Sequence, residues 1–77
     1  VLNVWPNPST GRFWMGFNGD IDVRTIRIFT SAGREIKRID VPRFTRIVTE
    51  DLDVQGTYVI VFYNEKGEQV DSRKLVI

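Results

Sequence analysis

Catalysis by side chains needs a nucleophile, a proton carrier of matched pKa or a bound metal. This 77-residue sequence has neither histidine nor cysteine. That removes the usual zinc ligand and general base, every Ser-His-Asp triad, the thiolate nucleophile and all disulfides. Carboxylates remain, and Glu50, Asp51 and Asp53 crowd one stretch. Hard oxygens around a turn suit calcium, but the one-three-five spacing with a distal bidentate Glu is missing. The expected role is a hydrated loop. Two carboxylates could serve a glycosidase pair, yet so short a chain leaves no deep cleft to raise one pKa. Pro6-Asn7-Pro8-Ser9-Thr10-Gly11 is no phosphate loop, because no Gly-rich turn leads into Lys-Ser or Lys-Thr. Trp5 and Trp14 could stack on sugar rings, but at strand positions a core or sheet-covering role comes first. The sequence reads as non-enzymatic, with no cofactor and no metal.

Charge points to partners rather than chemistry. Eleven Lys and Arg face ten Asp and Glu, a net charge of +1, which is too little for wholesale neutralisation of nucleic acid. The distribution is uneven. From Arg24 to Arg46 there are seven basic residues (Arg24, Arg27, Arg34, Lys37, Arg38, Arg43 and Arg46) and two acidic ones. The remainder carries four basic and eight acidic residues. Solvated sheet faces and edge-blocking cations account for such a stretch. A shallow basic surface for an anionic partner is the sharper alternative.

These residues must be positioned by strands. Helical periodicity is nearly absent, and alternation is punctuated by Gly, Pro, Asn and Asp. Leu2–Trp5 and Arg12–Phe17 read as the first two strands, the second with Phe13, Met15 and Phe17 on one face. Asn18-Gly19-Asp20 is a hairpin-type turn. Val23–Thr30 follows, with Ile26 and Ile28 opposite Arg27 and Phe29. Ser31-Ala32-Gly33 is the next turn. Glu35–Val41 is an edge strand closed by Pro42. Phe44–Thr49 is a fifth strand, and residues 50–56 are a loop with two apolar pegs, Leu52 and Val54. Thr57–Asn64 is apolar on both faces and therefore central. Gln69–Ile77 is the seventh strand. The longest apolar run, Tyr58 to Tyr63, is six residues, so nothing here crosses a bilayer as a helix. Seven short strands joined by short loops predict an all-β, antiparallel two-sheet sandwich. A single open sheet would expose half of these side chains.

The pattern also matches something specific. Val4-Trp5-Pro6-Asn7-Pro8-Ser9-Thr10-Gly11-Arg12-Phe13 resembles the Tyr-Pro-Asn-Pro-Ser-x-Gly-x-Phe opening of type IX secretion C-terminal sorting domains, type A, of the Por system of Bacteroidota. Residues 28–36 resemble that family's strand and Gly-Arg/Lys turn. Residues 51–60 resemble its Asp-Leu-Ser…Gly-x-Tyr block, and residues 73–77 its closing basic and aliphatic strand. Trp5 stands where Tyr is commoner, and Val54 to Gly56 is one residue tighter than usual. The blocks occur in order along the whole chain.

The resemblance implies a seven-stranded Ig-like sandwich acting as the C-terminal domain of a longer secreted or outer-membrane protein. It implies an address recognised by the type IX translocon and by outer-membrane shuttle and sortase proteins. The parent would pass the periplasm and reach the outer-membrane surface or be released. In most members a sortase cuts upstream and joins the cargo to anionic lipopolysaccharide, whereas machinery components keep the domain. Lys74, Leu75, Val76 and Ile77 are the recognition candidates, through an exposed edge or the terminal carboxylate. Pro6, Asn7, Pro8, Gly11, Gly33 and Gly56 are expected to hold turns. Tyr58 is expected to bury its ring and find its hydroxyl a partner. An unprotected edge strand is also a route to a dimer. The alternative role is a retained Ig-like structural or adhesion module contacting anionic glycan.

Overall fold

Period-two alternation puts one row of each strand inward, and the rows meet between two sheets. The computed structural model describes residues 2–18 and 21–77. The turn expected at Asn18-Gly19-Asp20 therefore falls, at Gly19 and Asp20, outside the described residues. Among the described residues there are seven strands: β1 (Leu2–Trp5), β2 (Arg12–Phe17), β3 (Thr25–Thr30), β4 (Glu35–Asp40), β5 (Ile47–Asp51), β6 (Thr57–Tyr63) and β7 (Gln69–Val76). One sheet has the order β1-β2-β5 and the other β4-β3-β6-β7, with every pair antiparallel. This is the expected all-β two-sheet sandwich of Ig-like type, with the fourth strand remaining beside the third. No helix long and apolar enough to cross a membrane is present among the described residues.

The core follows the alternation. Phe13 and Met15 of β2 meet Ile26 and Ile28 of β3, Ile60 and Phe62 of β6, and Leu75 of β7, all fully buried. β6 lies between β3 and β7, and Val61 on its other face is buried too, as a central strand requires. At one seam Lys37 of β4 donates to Glu50 of β5 at 2.6 Å. At the other, Arg73 of β7 donates to the Leu2 carbonyl of β1 at 3.1 Å.

Several bounds differ from the sequence expectation. β3 starts at Thr25 rather than Val23; Val23 is buried, but the Arg24 N–H bonds to the Tyr63 carbonyl ahead of the ladder proper. β4 stops at Asp40, although the Val41 N–H still donates to the Arg24 carbonyl in register with the Thr25–Asp40 pair. β6 and β7 each end one residue earlier, at Tyr63 and Val76. The largest change is β5, which runs Ile47–Asp51 instead of Phe44–Thr49. Phe44 has φ of +66°, a left-handed conformation that breaks an extended strand. At the far end Glu50 and Asp51 join the ladder opposite Phe13 and Arg12. Of the two expected pegs, Leu52 is buried while Val54 is 69% exposed. The Val54 backbone carbonyl, not its side chain, makes the inward contact.

Candidate recognition site

The site lies at the pole where the first and last strands meet. After Trp5 the chain leaves β1 and lies along the outer edge of β7. Pro6 and Pro8 have no N–H to give a ladder, so the Asn7 side chain supplies the pairing. Its Nδ2 donates to the Lys74 carbonyl at 2.7 Å. Its Oδ1 accepts the Val76 N–H at 3.0 Å. The Ser9 N–H then donates to the Val76 carbonyl at 2.8 Å. Leu2, Asn7 and Ser9 thus meet Arg73, Lys74 and Val76 in rising order, so this segment runs parallel to β7. On the inner side, Leu75 pairs with Tyr58. Ile77 exchanges two backbone hydrogen bonds with Gly56, at 2.9 and 3.3 Å. The end of the chain is therefore laddered on both sides, and its outer edge over Lys74–Val76 is occupied.

Neighbouring turns lock this arrangement. Buried Ser9 donates through Oγ to the Arg12 carbonyl at 2.7 Å and accepts the Gly11 N–H at 3.0 Å. Gly11 has φ of +137°, and a Cβ there would stand 3.3 Å from the Leu52 carbonyl oxygen. Space and conformation both call for glycine. Tyr58 buries its ring and donates its hydroxyl to the Val54 carbonyl at 2.5 Å. A Cβ placed on nearby Gly56 would stand 3.9 Å from that ring. The Ser31–Gly33 turn stands at the same pole, beyond the Thr30–Tyr58 pair.

A family model described as a secretion system C-terminal sorting domain matches residues 3–77. The chain belongs to the type IX secretion C-terminal sorting domains. No curated protein and no solved structure matches it. The sorting domain accordingly carries a C-terminal signal for type IX secretion, which implies interaction with that machinery and export to the cell surface or beyond. The family is in general non-catalytic.

Within the sorting domain the four C-terminal candidates divide by side chain. Lys74 and Val76 point outward, Leu75 is fully buried, and Ile77 is half-buried against the core. Pro6, Asn7 and Pro8 are exposed beside them. The tie from Asn7 to β7 was not anticipated from the sequence. Its signal lies in the Pro-Asn-Pro run, where the Asn amide is the main polar group on offer.

The seven basic residues do not form one face. Arg27, on the outer face of β3, pairs with Glu35 and stacks over Phe29 and Tyr63 at 5.0 and 5.6 Å. The hydrogen bond to Glu35 raises its pKa further above the ordinary guanidinium value. Lys37 closes a seam, and Arg38 lies opposite Arg27. Arg34 follows the Gly33 turn. Arg24, Arg43 and Arg46 gather at the pole opposite the Asn7 site. The carboxylates separate too: Glu50 engages Lys37, and Asp51 pairs with Arg12 at 3.1 Å on the outer face. That hydrogen bond raises the Arg12 pKa. The described residues contain no acidic cluster that could hold a metal. Trp5 and Trp14 are cross-strand partners on the outer face of the three-stranded sheet. The Trp5 ring covers Gly16, where a Cβ would come within 3.0 Å of it. Both indoles are thus sheet-covering rather than core, and Trp5 remains 42% exposed.

Proposed function

We propose that this sorting domain is an autonomous, non-catalytic address, and that the type IX translocon with its shuttle and sortase proteins reads one composite surface. That surface consists of the outward side chains of Lys74 and Val76 together with the Pro6–Ser9 segment beside them. The observation that supports it is Asn7 bonding to both Lys74 and Val76. A bare C-terminal peptide is available on any unfolded chain, whereas a two-segment surface exists only on the folded domain. The parent protein would cross the periplasm with the domain folded. Joining to anionic lipopolysaccharide would follow recognition at the surface.

The test fuses residues 1–77, through a flexible linker, behind an exported fluorescent protein in a Bacteroidota host. Surface fluorescence is expected for the intact fusion and not for deletion of residues 74–77. The decisive variant is Lys74→Glu, whose exposed side chain supports no core contact. It should fold, as checked by thermal melting, yet stay in the periplasm. Normal delivery of folded Lys74→Glu and Asn7→Ala would remove the composite surface. Periplasmic retention of the folded intact fusion would remove the autonomous signal. A second reading, a retained adhesion module contacting anionic glycan, draws support from exposed Trp5. It predicts polysaccharide binding that Trp5→Ala abolishes.

A further inference from the structure

The pole opposite the Asn7 site carries a feature that lies outside the composite surface proposed above. Phe44 is 95% exposed and has φ of +66°. A bulky aromatic in that conformation, wholly in water, is unfavourable on both counts. The loop is nevertheless firmly framed. Val41 is buried and its N–H donates to the Arg24 carbonyl at 2.9 Å, while Arg24 Nε donates to the Val41 carbonyl at 3.2 Å. At the other end the Phe17 N–H donates to the Arg46 carbonyl at 2.9 Å, and between them the Thr45 N–H reaches the Pro42 carbonyl at 3.3 Å. The ring is thus held out by a short strap rather than carried on a slack loop.

Cations surround it. Arg43 and Arg46 flank Phe44, and Arg24 stands behind. Together they line a shallow cavity of about 190 Å³ whose apolar wall includes Phe17, Ile21 and Val23. Asp22 is the acidic residue in that wall. Arg43 pairs with Glu65, both well exposed, a bond that a competing anion replaces at little cost. Among the described residues Arg24 and Arg46 make no ion pair, and Arg24 Nη1 is buried without a hydrogen-bond partner. Among the described residues, three guanidinium groups here stand with two carboxylates, Asp22 and Glu65.

We infer that the Arg43–Arg46 strap docks on an anionic lipid surface, with Phe44 inserted among the upper acyl carbons and the guanidinium groups on headgroup phosphates. Charge complementarity selects an anionic partner. The shape selects a lipid one: a single ring standing proud of a cationic rim suits a fluid interface, which closes around an isolated aromatic. A protein partner would need a broader apolar patch than one ring to bury a specific interface. This inference stands apart from the sorting reading and does not depend on it.

The test is co-sedimentation of the 77-residue domain with vesicles of phosphatidylcholine alone, or of equal parts phosphatidylcholine and phosphatidylglycerol, at low and moderate salt. Binding is expected on the anionic vesicles only, and should weaken as salt rises. Phe44→Ala should lower partitioning about tenfold. Arg46→Gln should lower it about fivefold. Neither side chain supports the core, and a thermal melt of each variant checks the fold. Equal binding to both vesicle types, unchanged binding of Phe44→Ala, or binding to neither vesicle overturns the inference. So does full displacement by inorganic phosphate matched to the lipid phosphate, which would leave a simple ion site. Impaired delivery of a Phe44→Ala fusion in cells, without vesicle binding by the parent domain, transfers the strap to a protein partner and also overturns it.

Discussion

Replacing Asn7 with Ala tests whether the two ends of the chain are joined as described. The substitution removes two hydrogen bonds to β7, of 2.7 and 3.0 Å, and leaves the Ser9–Val76 bond in place. The site is exposed, so water takes up the freed groups and the full desolvation penalty does not apply. At roughly 0.5–1 kcal/mol net for each bond, the loss is about 1.5 kcal/mol. For a domain of this size that lowers Tm by about 6–12 °C. It is a large share of a stability expected to be only a few kcal/mol. Thermal unfolding followed by tryptophan fluorescence gives the Tm, and amide hydrogen exchange gives the location. The Val76 amide, held by Asn7, should lose protection by local opening, while the amides of buried Ile28 and Ile60 should change only with global stability. Asn7→Asp should be worse than Asn7→Ala, since it places a carboxylate against the Lys74 carbonyl and still accepts from Val76. An unchanged Tm with an unchanged Val76 exchange rate would refute the bridge. A lowered Tm with Val76 still protected would show that Asn7 acts within its own turn and not across the seam.

Other substitutions separate address from scaffold. Leu75→Ala should cost about 2–5 kcal/mol, because the residue is fully buried; circular dichroism should show most of the domain unfolded, whereas Lys74→Glu should melt within a few degrees of the parent. Gly33→Ala places a Cβ at φ of +87° with no neighbouring atom to clash, so its cost is conformational, about 1–2 kcal/mol in chemical denaturation, with Gly33→Asn milder. Tyr58→Phe removes the donor to the Val54 carbonyl and should cost about 1 kcal/mol, with faster exchange across residues 54–57.

The inward rows of β2, β3 and β6 were legible because an alternating strand can bury its apolar face only one way. β1 and β2 were bounded correctly, since the prolines and Gly11 stop the pattern between them. β5 was not. Thr45, Ile47 and Thr49 alternate within Phe44–Thr49 just as Ile47, Thr49 and Asp51 do within Ile47–Asp51, and nothing local announces the left-handed Phe44. Val54 looked like a peg by composition, but Tyr58 uses its carbonyl instead. For the site, the turn residues and the C-terminal candidates were readable as separate groups. Their union was not, because Asn7 and Val76 lie 69 positions apart and no periodicity spans that distance. The basic stretch was continuous in sequence yet was divided by folding, since alternate strand residues face opposite ways and the strand ends lie at opposite poles.

The parallel run of the Pro6–Ser9 segment along β7 has a consequence for quality control. Closing it joins parts far apart in sequence, so the entropy cost of closure is offset only once the intervening chain has collapsed. A product of premature termination, lacking Lys74–Val76, keeps the opening motif but has nothing for Asn7 to grip. A misfolded product has both segments, but apart. On the proposed reading, an address built this way would double as a receipt, certifying to the exporter that the last strand is present and that the domain has folded behind it.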